Sequence, residues 1–270
     1  MLRENAWKKY DSEKLQKMNS FCDNYKNFIS ECKTERECVT FAVEEIKKAG
    51  YVDLNEVIAA GKELKAQDKV YVNYMGKALA MFQIGDVPME KGMNLLGAHV
   101  DSPRLDLKQD PLYEDSDLAL LDTHYYGGTK KYQWVALPLA LHGVVVKKDG
   151  TVMNVVIGED ENDPVLGISD LLIHLSQNQM EKTGSKVVEG EDLNILVGSI
   201  PLEGEEKEPV KAQIVKLLEE KYGITEEDFS SAELEAVPAG KARDYGLDRS
   251  LIMGYGHDDR ICAYPSYQAM

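Results

Sequence analysis

The stretch Met93-Asn94-Leu95-Leu96-Gly97-Ala98-His99-Val100-Asp101-Ser102-Pro103 decides the reading of this chain. Its first six residues are nearly all apolar and do not alternate, which predicts a short strand buried on both faces. His99 then falls just past the carboxyl end of that strand, where open α/β sheets place their chemistry. Asp101 follows after one spacer. On extended backbone, residues two apart point to the same side, so His99 and Asp101 can face one pocket. Imidazole is a common zinc ligand, and a ligating histidine usually donates its second N–H to a carboxylate or carbonyl. His99 as ligand and Asp101 as its orienter fit that arrangement. An ordinary surface pair fits the two residues as well, and the spacing alone does not choose.

A second acidic knot lies far downstream, Gly256-His257-Asp258-Asp259-Arg260. It opens a segment, Arg260 to Met270, that reads as a helix with Pro265 inside it, a residue able to kink it. Asp259 can serve as a plain helix N-cap. The sharper alternative has Asp258 bridging two metals while Asp259 caps. Two-metal hydrolytic sites hold their ions about 3.5–4 Å apart and need a shared oxygen ligand. Read together, the two knots predict a metal site assembled from distant segments. His124, His142 and His257 have no partner at ligand spacing and are expected to be structural.

Around these knots the chain is organised by local signals. Thr34-Glu35-Arg36-Glu37 is a capping box, and Cys38, Phe41, Ala42 and Ile46 continue it at helical spacing as far as a stop at Gly50. Lys69 to Tyr74 predicts a strand, Met75-Gly76-Lys77 a turn, and Ala78 to Ile84 the returning partner. Beyond Lys108 the character changes. Tyr132 to Lys147 and Thr151 to Ile157 are β-rich and flank the turn Lys148-Asp149-Gly150, which predicts a hairpin. Ser169 to Met180 predicts an amphipathic helix carrying His174, and Val210 to Tyr222 a second helix closed by Gly223. Leu234 to Pro238 predicts a strand leading back. Residues 109–233 therefore read as an insertion into a parent domain formed by 1–108 and 234–270.

Composition narrows the function. The chain has 270 residues, 43% of them hydrophobic, enough for a sizeable core. Its net charge of −16 is unevenly spread, because residues 151–240 carry 20 acidic and 6 basic side chains. The acidity argues against nucleic acid or an anionic membrane surface as partner. No apolar run approaches the length of a membrane span. Cys22, Cys32, Cys38 and Cys262 form no Cys-x-x-Cys pair, and no secretory segment opens the chain. They read as free thiols in a reducing cytosol, so a cytoplasmic location is expected. A Gly-x-Ser-x-Gly elbow, a P-loop, a dinucleotide glycine motif and a His-Glu-x-x-His helix are all absent from the sequence. The Glu-Glu pairs at 44–45, 205–206, 219–220 and 226–227 read as solvated faces.

Several blocks now combine. Lys33-Thr34-Glu35-Arg36-Glu37, Gly97-Ala98-His99-Val100-Asp101-Ser102-Pro103, Tyr126-Gly127-Gly128, Leu171-Leu172-Ile173-His174-Leu175, Val237-Pro238-Ala239-Gly240-Lys241-Ala242, Asp258-Asp259-Arg260 and Gln268-Ala269-Met270 run along nearly the whole chain. With these blocks the sequence resembles the aspartyl aminopeptidase family of cocatalytic zinc metallopeptidases. The resemblance implies a catalytic α/β sandwich domain interrupted by a β-rich oligomerisation domain, and a homo-oligomer, typically a dodecamer. It implies two zinc ions and peptide substrates with a free N-terminus. His99 would bind one zinc, Asp101 would orient His99, and Asp258 would bridge both ions through a residue whose bond to Asp259 is cis. His174 would reach the substrate in a neighbouring subunit's site.

The family takes its remaining groups from downstream of the bridging aspartate: a Glu-Glu pair, a further Asp and a late His. This chain stops twelve residues after Asp258. The resemblance therefore implies the N-terminal portion of such an enzyme, incomplete at its C-terminus, with two of five ligands and no general base. The expected function is metal-dependent removal of N-terminal residues from peptides, with the chain by itself inactive. The alternative is a non-catalytic assembly or regulatory fragment. A module holding a single metal with only His99 and Asp258 would have too few protein ligands.

Overall fold

The computed structural model describes residues 4–270, which form a mixed α/β structure in two compact units. One unit runs to Ser102 and resumes over Lys241–Met270, and the other is Pro103–Gly240. The expected insertion, 109–233, lies wholly inside the second unit, whose edges extend to 103 and 240.

The first unit opens with α1 (Ser12–Glu31) and α2 (Glu35–Lys48). Asp11 starts α1 by accepting from the Lys14 N–H, and Tyr25, Phe28 and Ile29 form its buried stripe at the i, i+3, i+4 spacing of a helix face. The Thr34 capping box is present in both directions. Thr34 Oγ1 accepts from the Glu37 N–H at 3.2 Å, and the Glu37 carboxylate accepts from the Thr34 N–H at 2.9 Å. Next come β1 (Val52–Asp53), α3 (Leu54–Ala59), β2 (Lys69–Tyr74) and β3 (Ala78–Gln83). β2 and β3 pair antiparallel from Lys69↔Gln83 to Tyr74↔Ala78, and β1 lies parallel to β2. Met75, Gly76 and Lys77 make the turn between them, with positive φ at Met75 and Gly76.

The second unit is built on a six-stranded antiparallel sheet. Its strands are β4 (Arg104–Asp115), β5 (Leu118–Tyr126), β6 (Leu139–Val146), β7 (Val152–Ile157), β8 (Ile195–Gly198) and β9 (Ala232–Pro238), in the spatial order β7-β6-β9-β4-β5-β8. A short helix, α4 (Gln177–Met180), and a longer one, α5 (Pro209–Tyr222), accompany it. Pro209 opens α5 and Gly223, at φ 66°, closes it. The Glu114 carboxylate on β4 accepts from the Val210 and Lys211 N–H groups at 2.9 Å each, a cap supplied from another element. Leu105, Leu139, Val145, Leu193, Ile195 and Val237 are fully buried in this unit.

The chain then returns to the first unit through a hairpin of β10 (Arg243–Tyr245) and β11 (Leu251–Met253) and ends in α6 (His257–Ala269). Tyr264 of α6 packs against Tyr25, Phe28, Ile29, Cys32 and Cys38, closing the core of that unit. Pro265 lies inside α6, as expected.

Two expectations from sequence fail. The segment Met93 to Ala98 is not a buried strand: residues 92–102 form no regular element, and Leu95 is 85% exposed. A strand of that kind needs hydrogen-bonded neighbours on both edges, and among the described residues no strand pairs with it. Residues 169–180 are not one amphipathic helix either. Only Gln177–Met180 is helical, and Leu171, Leu172, Ile173 and Leu175 are exposed. A helix of this length draws most of its stability from burying its apolar face, and among the described residues nothing covers that face.

Candidate metal centre

Three segments of the first unit build the site. The loop 97–102 carries His99 and Asp101, the start of α6 carries Asp258 and Asp259, and the junction of α1 with α2 holds both from below. His99 Nε2 lies 3.4 Å from Asp258 Oδ1. On the opposite side of the ring, His99 Nδ1 lies 3.0 Å from the main-chain oxygen of Asp101 and 3.2 Å from its carboxylate Oδ1. Ligand atoms of His99, Asp258 and Asp259 lie within 4.8 Å of one another. The peptide bond between Asp258 and Asp259 is cis.

The donor set is one imidazole nitrogen and two carboxylates, the chemistry that suits zinc in hydrolytic sites. The bond to Asp101 assigns the Nδ1–H to that side and leaves the Nε2 lone pair facing Asp258 and Asp259. The side chains of His99 and Asp258 are 52% and 78% exposed, so the group opens to solvent. Several influences act on the His99 imidazole. The largest is burial, which lowers its pKa. The hydrogen bond to Asp101, with the charges of Asp101, Asp259 and Asp258, works the other way and prevails, so the pKa is raised.

The backbone around these groups is tied by side chains. The Ser102 hydroxyl donates to the main-chain oxygen of Asp258. Arg260, fully buried, donates to the main-chain oxygens of Val100, Cys32 and Lys33. Sequence reading passed over Arg260. The signal was there to read, since an arginine following two aspartates at a helix start must either face solvent or be enclosed with its five donors satisfied.

Three of the other histidines have a side-chain neighbour of their own. His257 Nδ1 lies 2.9 Å from the Tyr25 hydroxyl, buried His142 faces Glu159 at 3.3 Å, and His124 stacks on Tyr125. His174 belongs to the second unit and lies in an exposed turn, not on the helix expected for it.

A mixed α/β protein with a histidine–carboxylate cluster whose donors suit a cation is the class that this fold and donor set define. Comparison with known proteins is more specific. The family model of the aminopeptidase I zinc metalloproteases (M18) matches residues 28–270. A probable M18 family aminopeptidase 1 from Clostridium acetobutylicum is 65% identical over 268 residues, which cover 99% of this chain and 58% of that protein. The crystal structure of an M18 family aminopeptidase from Thermotoga maritima superposes with a TM-score of 0.92 at 45% identity, over 100% of this chain and 58% of that one. The S. cerevisiae mApe1 dodecamer, 20% identical with a TM-score of 0.64 over 92% of this chain and 54% of its own, shares the fold.

The chain belongs to the M18 family, described as zinc metalloproteases. It spans 58% of the length of the first curated relatives it matches.

Proposed function

We propose that this chain carries the N-terminal part of a metal-dependent aminopeptidase that removes N-terminal residues from peptides. The observation that carries the reading is the convergence of His99, Asp258 and Asp259 from positions about 160 residues apart, inside a family described as zinc metalloproteases. Residues 1–108 with 234–270 form its catalytic domain, incomplete in this chain, and residues 109–233 an inserted oligomerisation domain.

In this reading His99 and Asp258 would hold zinc, as part of a two-ion site in the complete enzyme. Zinc bound there supplies a Lewis acid for the scissile carbonyl and makes water a stronger nucleophile at neutral pH. Asp101 keeps the proton on Nδ1 of His99 and the ring fixed, so that Nε2 stays a ligand. The exposure of His99 and Asp258 leaves room for a substrate carbonyl and a water beside them. His174 contributes to substrate binding across a subunit interface. The proton acceptor for the attacking water and the remaining ligands are supplied from outside this chain, so the 270 residues alone hydrolyse no peptide.

The exposed run Leu171, Leu172, Ile173 and Leu175 is compatible with a second reading, that this chain acts in assembly without catalysis. It equally suits the homo-oligomer of the first reading, a dodecamer by family resemblance.

The test pairs zinc content by elemental analysis with hydrolysis of leucine- and aspartate-naphthylamide. The 270-residue chain and a form matching its relatives in length are compared, each with and without His99→Ala. Zinc bound by the longer form and lost in its His99→Ala variant, with turnover in that form alone and abolished by the same substitution, is expected. Unchanged zinc in His99→Ala overturns the site. EDTA-sensitive turnover by the pure 270-residue chain overturns its incompleteness. A multimer without zinc or turnover in either form leaves the assembly reading in place of the enzyme.

A further inference from the structure

We propose that Arg260 is a positioning residue for the metal centre, fixing the backbone that bears His99 and Asp101 against the helix start that bears Asp258 and Asp259. The proposal rests on reading His99 and Asp258 as zinc ligands.

Arg260 is 0% exposed and is the largest fully buried side chain among the described residues. A buried guanidinium is tolerated only when its donors are satisfied in good geometry. Here three hydrogen bonds end on main-chain oxygens. Nε donates to Val100 at 2.8 Å, Nη1 to Cys32 at 2.6 Å and Nη2 to Lys33 at 2.8 Å. Val100 is the residue between His99 and Asp101. Cys32 and Lys33 are the link between α1 and α2. One planar fork thus joins three chain segments, and its own position is fixed by α6.

The surroundings are shaped for it. Gly256 has φ 91°, and a Cβ there would fall 2.4 Å from Arg260 Nη1, so glycine leaves the space the guanidinium fills. The Tyr255 ring lies 5.6 Å from the guanidinium carbon.

The need for such a tie follows from the loop. Residues 92–102 have no regular structure, so no ladder of backbone bonds holds His99 in place. Its register with Asp258 rests on side chains: Arg260 to Val100, Ser102 to Asp258, and the Cys38 thiol against the same Val100 oxygen at 4.0 Å. Of these, Arg260 is charged, rigid and pre-organised. A lysine at 260 would offer a point charge in place of a fork, and could not reach the three oxygens in one plane.

The experiment measures zinc affinity by chelator competition, and the visible spectrum of the Co(II)-substituted protein, on a form matching the relatives in length. The variants are Arg260→Lys, Gly256→Ala, His99→Ala and a control, Ile46→Ala. Ile46 is buried in a separate cluster with Tyr51 and Tyr71, so its truncation lowers stability without touching the ligand loop. Arg260→Lys is expected to weaken zinc binding about tenfold or more, as loss of a ligand's supporting shell does, and to alter the Co(II) bands. Gly256→Ala should shift both the same way, with the arginine still present. Ile46→Ala should leave both unchanged at a temperature well below its own Tm.

Wild-type affinity and spectrum in folded Arg260→Lys overturn the proposal. So does an equal shift in Ile46→Ala, which would make the effect one of general stability. If Arg260→Lys fails to fold, Gly256→Ala decides. If the wild-type chain and His99→Ala take up zinc equally, or neither does, the ligand reading fails and not only this inference.

Discussion

Ser102 donates its hydroxyl hydrogen to the main-chain oxygen of Asp258, a bond that spans 156 residues of sequence. Ser102, the donor, is 2% exposed, while Asp258 is exposed, so the bond is withdrawn from water on the serine side. It joins the loop of the first acidic knot to the helix start of the second. A side-chain bond therefore holds the two knots beside one another, before any metal is considered.

Gly143 on β6 is expected to tolerate no side chain. Its φ is 146°, and a Cβ there would lie 1.9 Å from the Glu233 oxygen on β9, its neighbour strand. Gly143→Ala must push the two strands apart and should cost at least about 2 kcal/mol. Gly204→Ala is the control, since its φ is also positive but nothing lies within 4 Å of an added Cβ. It should cost about 1 kcal/mol from backbone strain alone. Urea denaturation of both variants checks this, and equal losses would exclude the steric cause.

Asp228 gives the second unit an acid-labile tie. Its carboxylate accepts from Lys147 Nζ at 2.7 Å and from the Thr225 N–H and hydroxyl at 2.8 and 2.9 Å. Burial is the largest influence and acts to raise its pKa, but Lys147 and Thr225 together outweigh it and hold the carboxyl below the ordinary value of 3.8. The folded state thus binds the proton less tightly than the unfolded state. The stabilisation is fully present above that ordinary value and is lost as pH falls through the lower folded-state value. Asp228→Asn should cost about 1–3 kcal/mol at pH 7, and the gap to wild type should shrink below about pH 4. Thermal melts at pH 7, 4 and 3 check the sign. A gap that widens on acidification would contradict it.

The four thiols should separate by burial. Cys32 and Cys38 are 2% and 1% exposed, Cys22 is half-buried and Cys262 is exposed. A hydrogen bond with Cys38, aided by burial, raises the Cys32 thiol pKa further. At Cys262 the bond to Asp259 is the main reason its pKa is raised, so even this exposed thiol should alkylate more slowly than free cysteine. Iodoacetamide labelling read by mass spectrometry should modify Cys262 first, Cys22 more slowly, and Cys32 and Cys38 only on unfolding. Native-state modification of Cys32 at the rate of Cys262 would contradict the core placement of α1 and α2.

Much of the fold was legible because its signals are short. The Thr34–Glu37 box, the Met75-Gly76 turn, the Lys148-Asp149-Gly150 hairpin and the Gly223 stop each involve residues within a few positions of one another. Backbone sterics and local hydrogen bonds decide them whatever the rest of the chain does. The two failures, at 93–98 and 169–180, are segments whose apolar residues declare only that something should cover them. Apolar periodicity names a face, not the surface that buries it, and for these two runs no such surface is found among the described residues.

The sequence by itself singled out the residues proposed to carry chemistry. His99, Asp101, Asp258 and Asp259 stand out because an imidazole and carboxylates in tight groups are costly to place and seldom idle. Only the tertiary structure decided that Asp258 faces the Nε2 side of His99 while Asp101 faces Nδ1, and that Arg260 turns inward to hold Val100. Those relations depend on three-dimensional closure over more than 150 residues. No local preference encodes the direction in which a buried arginine points, since it is set by which carbonyls lie within reach once the core has packed.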